Sequence, residues 1–244
     1  MKTSNSDVNW AKMYDFYELE MRNIYRTVSK PQNDSHYEML KDKGAKFLSK
    51  NNTFCEIGFS AGLTLRHALN HFGHVYGLDI SPKNVELTAK ELDSEGFSNF
   101  ELYTSDLMVF DERFNNKFDV ISYIHGLEHF TTDDYPVIFK NIKKYLKSNG
   151  VFTGALPFNN QFKYLMCPNC SHVFEADGHV STHDKTSLKK LFEDNGFEII
   201  HLDNFNMKYA LSRGSSLKRI YRFVMYGILG KQSNAQLEYI VRPR

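Results

Sequence analysis

The sequence predicts an α/β protein with an open, mostly parallel sheet and helices on both faces. Two observations carry this. From residue 53 onward, seven short apolar runs alternate with stretches of helical period. Cap and turn residues fall where the helices should begin and end: Ser81-Pro82 before one, Gly96 after it, Gly196 after another. Strands that alternate with helices form parallel sheets through right-handed crossovers.

Residues 8 to 49 read as two helices. Trp10, Met13, Tyr14, Tyr17, Met21 and Ile24 recur near helical spacing, Pro31, Asn33 and Asp34 mark a break, and a second helix runs to about Leu48. The predicted strands are 53–57, 75–78, 100–104, 118–124, 151–156, 197–202 and 237–242. A helix from Asp133 or Asp134 carries Ile138, Ile142, Tyr145 and Leu146 on one face, and Gly150 is expected to end it. Residues 157–184 and 204–236 fall outside the alternation and read as insertions over the ligand edge. The resulting organisation is a helical cap at 1–50, a binding core at 51–157, an insertion at 158–184 and a closing part of the same domain at 185–244.

The chain has 244 residues, enough to bury a core without staples, and a net charge of +1, so no nucleic-acid partner is expected. Three cysteines make no disulfide framework and fit a reducing, cytoplasmic setting. The first ten residues are polar, without the apolar run of a signal peptide, and no apolar stretch is long enough to cross a bilayer.

The first strand leads into Glu56-Ile57-Gly58-Phe59-Ser60-Ala61-Gly62. Its glycines permit a sharp turn and a close approach of backbone to ligand. The second strand ends on Asp79, where a carboxylate can accept hydrogen bonds from a ribose diol. The spacing is not G-x-G-x-x-G, because Ser60 takes the second glycine's place, and there is no phosphate-loop lysine. A nucleoside suits such a turn better than a pyrophosphate.

The segments CEIGFSAG, GLDIS, TSDLMVF, FDVISYIHGLEHF and YLKSNGVFTGALP resemble, in order and at the expected spacing, the successive motifs of class I S-adenosylmethionine-dependent methyltransferases over residues 52 to 157. QLEYIVRPR resembles that family's last strand. The resemblance implies a Rossmann-like methyltransferase fold with seven strands, the last antiparallel. It also implies S-adenosyl-L-methionine as cofactor. Gly58 and the Ser60–Gly62 turn would pass the methionine part, with Glu56 near its amino acid moiety. Asp79 would hold the ribose, Asp106 and Leu107 the adenine, and Tyr123 or Ile124 would floor the sulfonium. Phe59 and Ile80 complete the implied cofactor set.

Methyl transfer from a sulfonium mainly requires alignment of nucleophile and methyl group, and a base helps a protonated acceptor. His125 and His129 follow the fourth strand, and His125, nearer the strand end, is the first candidate base. The same residues spell the H-x-x-E-H of inverted zinc peptidases, but Gly126 interrupts the motif and an apolar strand directly precedes it. The acceptor is expected to be a small molecule or a lipid-linked saccharide, methylated on oxygen. Alternatives are a methyltransferase-like binding protein without turnover and a nicotinamide oxidoreductase, against which the glycine spacing speaks.

Cys167 and Cys170 have zinc-knuckle spacing, and His179 and His183 have the H-x-x-x-H spacing of paired imidazole ligands, with His172 an alternative. The form CPxC, then phenylalanine, then GH resembles a segment of some methyltransferases of this type, which supports a structural Zn2+ pinning the insertion. A redox pair and an unliganded loop remain the other readings. Arg213, Lys218, Arg219 and Arg222 precede the apolar run 223–229. That stretch reads as a capping helix, and its pattern also fits contact with an anionic membrane surface or an anionic acceptor.

Overall fold

The computed structural model describes residues 9–204, 215–228 and 236–244. The predicted alternation is present as nine strands among these residues: β1 (Thr53–Ile57), β2 (His74–Asp79), β3 (Phe100–Thr104), β4 (Phe118–Ile124), β5 (Leu146–Leu156), β6 (Tyr164–Met166), β7 (Val173–Glu175), β8 (Phe197–Asp203) and β9 (Leu237–Pro243). The helices are α1 (Trp10–Lys43), α2 (Leu63–Leu69), α3 (Pro82–Ser94), α4 (Tyr135–Tyr145), α5 (Lys185–Asp194) and α6 (Ser216–Arg222). Seven strands form one sheet in the order β3-β2-β1-β4-β5-β9-β8. All its strands run parallel except β9, which is antiparallel to β5 and to β8. The chain winds outward from β1 to β3 and then returns to place β4 on the other side of β1. That reversal opens a crevice at the carboxyl ends of β1 and β4.

Side chains alternate across the sheet, so Phe54 and Val75 face one core and Cys55 and Tyr76 the other. The first core packs Tyr37 and Leu40 of α1, Leu65 and Leu69 of α2 and Leu92 of α3. The second packs Ile138, Phe139 and Ile142 of α4 with Leu188 and Phe192 of α5. Ser81 caps α3 as expected, its hydroxyl accepting from Asn84 N at 3.0 Å, and Gly96 and Gly196 adopt the left-handed backbone that follows α3 and α5.

Two expected boundaries are corrected. The break at Pro31 is absent: α1 is one helix of 34 residues with the proline inside it. An internal proline costs a helix about 3 kcal/mol. Here the residues around it are anchored to the body instead of capping a new helix. Thr64 Oγ1 donates to Asn33 Oδ1 at 2.7 Å, Asp34 lies 3.1 Å from His67 Nε2, and His36, Tyr37 and Leu40 are buried. Gly150 does not end α4. The helix stops at Tyr145, and Gly150 lies within β5, where the register against β4 jumps from Phe118↔Leu146 to Val120↔Val151.

Between β5 and α5, β6 and β7 form a small antiparallel hairpin of their own. Of the basic-apolar stretch, Arg213 and residues 229–235 lie outside the described residues. Within α6 and the π-helical turn Phe223–Ile228, Leu217, Ile220, Tyr221 and Ile228 are exposed.

Gly154 sits at the centre of β5. A Cβ there would overlap the Tyr123 carbonyl oxygen and the Tyr239 ring. Gly154→Ala is expected to destabilise the protein by about 3 kcal/mol in chemical denaturation, the scale of core overpacking. A loss well under 1 kcal/mol would contradict this packing of β4, β5 and β9.

Candidate active site

A cavity of about 750 Å³ opens at the carboxyl ends of β1, β2 and β4. Its first wall is the turn after β1. Gly58, Ser60 and Gly62 all have positive φ, and Ser60 alone among them bears the steric cost of a side chain. The buried Asp79 carboxylate holds the turn in place. Oδ2 accepts from Ser60 N at 2.9 Å, and Oδ1 accepts from Ser81 N at 2.9 Å and Asn84 Nδ2 at 3.1 Å. One side chain thereby ties the β1 turn, the end of β2 and the start of α3.

Glu56 lines the same end and is buried, and its Oε2 accepts no hydrogen bond. Burial pushes its carboxyl well above the usual carboxylate range, only partly opposed by Thr64 and Leu65, and Asp79 adds to the upward push. Asp106 is exposed at the rim, its Oδ1 accepting from Met108 N at 2.9 Å, and Leu107 beside it is buried. Tyr123 lies against Gly58 and Gly126, where a side chain on either glycine would meet its ring. Phe59, Ile80 and Ile124 also line the cavity. All the expected cofactor residues except Gly62 therefore line one hollow.

The far wall is the turn after β4. His125 has φ 52°, an uncommon backbone for a non-glycine residue. Its Nδ1 lies 3.4 Å from Glu128 Oε1 and its Nε2 3.1 Å from Gln236 Oε1. Burial opposes its charge, but the Glu128 carboxylate, helped by Gln236 and Glu238, raises its pKa above the ordinary histidine value. Glu128 moves the other way: burial pushes its carboxyl up, and His125 brings it below the usual range. The two are paired, with Glu128 buried and the His125 ring partly exposed, and the pairing favours the protonated imidazole. His129 is held differently, with Nδ1 3.1 Å from the Gly178 carbonyl and its ring edge-on to Tyr14 at 6.5 Å.

The insertion closes this wall. Val180 N and Ser181 N both donate to the Glu128 carbonyl, at 2.9 and 3.1 Å, and Ala176, Asp177 and His179 line the cavity. This docking explains why the expected zinc set is not assembled. Cys167 and Cys170 lie at the hairpin turn, where Cys167 N donates to the His172 carbonyl at 2.8 Å. His172 stacks on Phe174 at 6.4 Å. His179 is drawn into the cavity, with Nε2 3.9 Å from Glu128 Oε1, and His183 is buried with Nε2 2.9 Å from the Tyr135 hydroxyl. Cys167, Cys170, His179 and His183 form no common group of ligand atoms.

Sequence reasoning missed Asn84, which holds Asp79, and the contribution of Met13, Gln32 and Asn33 of α1 to the cavity. It assigned His179 to the hairpin rather than to the cavity. Glu128 lies inside the H-x-x-E-H segment, and its pairing with His125 is not foreseen by the motif.

A family described as a methyltransferase domain matches residues 32–202, and the chain belongs to that family. No curated protein sequence matches it. Among solved structures, it is similar to DhpI in complex with S-adenosylhomocysteine (TM-score 0.67, 14% identity, covering 96% of this chain and 94% of that one). It is also similar to an S-adenosylmethionine-dependent methyltransferase from Clostridium acetobutylicum ATCC 824 (TM-score 0.62, 14% identity, 91% and 96% covered). The [4+2]-cyclase SpnF shares the fold as well (TM-score 0.64, 13% identity, 96% and 94% covered). One fold thus carries more than one activity, and the reaction must be argued from the site.

Behind the site, His36 is wholly buried, its Nε2 3.3 Å from Ser122 Oγ. Burial first, and then the neighbouring His125, push its pKa from 6.5 down to about 3. Because the folded value is the lower one, the stability contributed by neutral His36 is complete above pH 6.5 and is lost as pH falls toward 3. Urea denaturation at pH 6.5 and one unit lower is expected to show wild type losing about 1 kcal/mol more than His36→Leu. Equal losses would contradict a neutral, buried His36.

Proposed function

We propose that this chain transfers a methyl group from S-adenosylmethionine to an oxygen of a small-molecule or saccharide acceptor. The observation that carries the reading is the single cavity joining the Asp79 end to the His129 end. Its volume suits a nucleoside cofactor and a small acceptor together. The ribose hydroxyls donate to Asp79, the adenine lies over Asp106 and Leu107, and Glu56 receives the ammonium of the methionine part. The methyl group then points past Tyr123 toward the turn after β4.

In the reaction, an oxygen lone pair of the acceptor forms the O–CH3 bond while the S–CH3 pair returns to sulfur. The donor's own positive charge supplies the driving force, so the protein's task is alignment and disposal of the hydroxyl proton. Of the two candidate histidines, we assign the acceptor to His129. His125 is occupied as the cationic partner of Glu128 and acts as a positioning residue. A net charge of only +1 and a cavity walled by the insertion favour a small acceptor over a polymer.

S-adenosylhomocysteine is expected to bind and raise the melting temperature. Asp79→Asn should weaken that binding at least about tenfold, the scale of lost hydrogen bonds to a charged group. His129→Ala should slow methylation of the true acceptor about a hundredfold while leaving S-adenosylhomocysteine affinity nearly unchanged. Cofactor binding without methylation of any component of a cell extract would favour a protein that binds without turnover. Absence of cofactor binding by calorimetry would defeat the proposal.

A further inference from the structure

Between β8 and β9 the chain distributes its charge unevenly. Residues 205–235 contain Lys208, Arg213, Lys218, Arg219, Arg222 and Lys231 and not one Asp or Glu. Removing these six from the 30 Lys and Arg leaves 24 against 29 Asp and Glu, so the rest of the chain is net acidic. The near-neutral total conceals a basic segment on an acidic body.

The described part of this segment is α6 and the turn Phe223–Ile228 that continues it. Leu217, Ile220, Tyr221, Val224 and Ile228 recur at helical spacing and make one apolar stripe, while positions 218, 219 and 222 fall on the remaining face. In a helix that caps a core, the stripe is the covered side. Here it is open. Leu217 is 79% exposed, Ile228 64%, and Ile220 and Tyr221 60% each. Lys218 and Arg219 are exposed as well. A row of large apolar side chains set in water marks a contact surface.

We propose that α6 and its continuation to Ile228 dock in the plane of an anionic bilayer, with the stripe among the acyl chains and the cations at the headgroups. Charge selects this occupant. Each Lys or Arg at an anionic lipid surface strengthens binding about fivefold, and no carboxylate in the segment opposes them. Tyr221 and Phe223 add rings of the kind that settle at the headgroup boundary. Among the described residues no helix is long and apolar enough to cross a membrane, so the contact is lateral. A nucleic acid would answer the cations and leave the stripe bare. A second copy paired through the stripe would bring two basic faces together, which like-charge repulsion opposes.

The inference is independent of methyl transfer. Where both hold, the cavity works beside a surface on which lipid-linked acceptors reside.

The experiment is cosedimentation of the full chain with vesicles of mixed phosphatidylglycerol and phosphatidylcholine, and with vesicles of phosphatidylcholine alone. Binding to the anionic vesicles is expected to be at least about tenfold tighter and to weaken as salt is added. Lys218→Ala with Arg219→Ala should weaken it about twentyfold. Leu217→Ser with Ile220→Ser keeps every charge and should weaken it at least about tenfold. Both pairs lie on exposed positions, so the melting temperature in solution should stay nearly unchanged. Absence of binding to the anionic vesicles would overturn the proposal. So would binding that is indifferent to Leu217→Ser with Ile220→Ser, since the contact would then be charge alone. A dimer that dissociates on Ile220→Ser, in a chain that ignores vesicles, would give the stripe to a second copy instead. S-adenosylhomocysteine calorimetry on the same variants should match wild type, so failure of the membrane contact leaves the methyl-transfer reading standing, and vesicle binding without cofactor binding sinks only that reading.

Discussion

The Asp79 carboxylate is the joint on which the site depends. It accepts from the backbone of Ser60 and Ser81 and from the Asn84 side chain, and so fixes the β1 turn, the tip of β2 and the first turn of α3 with respect to one another. Three donors to a buried carboxylate replace the water contacts that burial removes. The strained φ of Ser60 is sustained by the same contact. Without that carboxylate the turn and the α3 N-terminus would lose the anchor they share, leaving the bond from Thr88 Oγ1 to the Ser60 carbonyl at 3.0 Å as a further tie to α3.

The other half of the hollow is held by the insertion. Three hydrogen bonds, from Val180 N, Ser181 N and His129 Nδ1, lock residues 178–181 onto the turn after β4. The insertion is therefore a wall of the cavity, and His179 belongs to the site because of where its neighbours' backbone is tied. Below it, Tyr135 gathers Ser181 and His183 at 2.7 and 2.9 Å, which carries the closing wall down into the α4 core.

The sheet was legible in the sequence because its evidence is local and repeated: apolar runs of strand length, Ser81-Pro82 at a helix start, glycines at helix ends. The first wall of the cavity was legible for the same reason, since Glu56, Gly58, Ser60 and Asp79 sit at strand ends whatever the rest of the chain does. What failed was anything decided by distant partners. Pro31 is a helix breaker by local rule, yet Thr64 and His67, more than thirty residues away, hold α1 straight. His179 and His183 have ligand spacing, but the spacing is silent about which way a docked loop turns each ring. His125 reads as a base from its position, and the sequence is silent on the buried Glu128 beside it that raises its pKa.

The most direct measurement is a crystal structure of the chain with S-adenosylhomocysteine. The account predicts both ribose hydroxyls within hydrogen-bonding distance of the Asp79 carboxylate, and the sulfur facing the space before Glu128, His129 and His179. A nucleoside bound elsewhere, or a sulfur turned away from that wall, would contradict it.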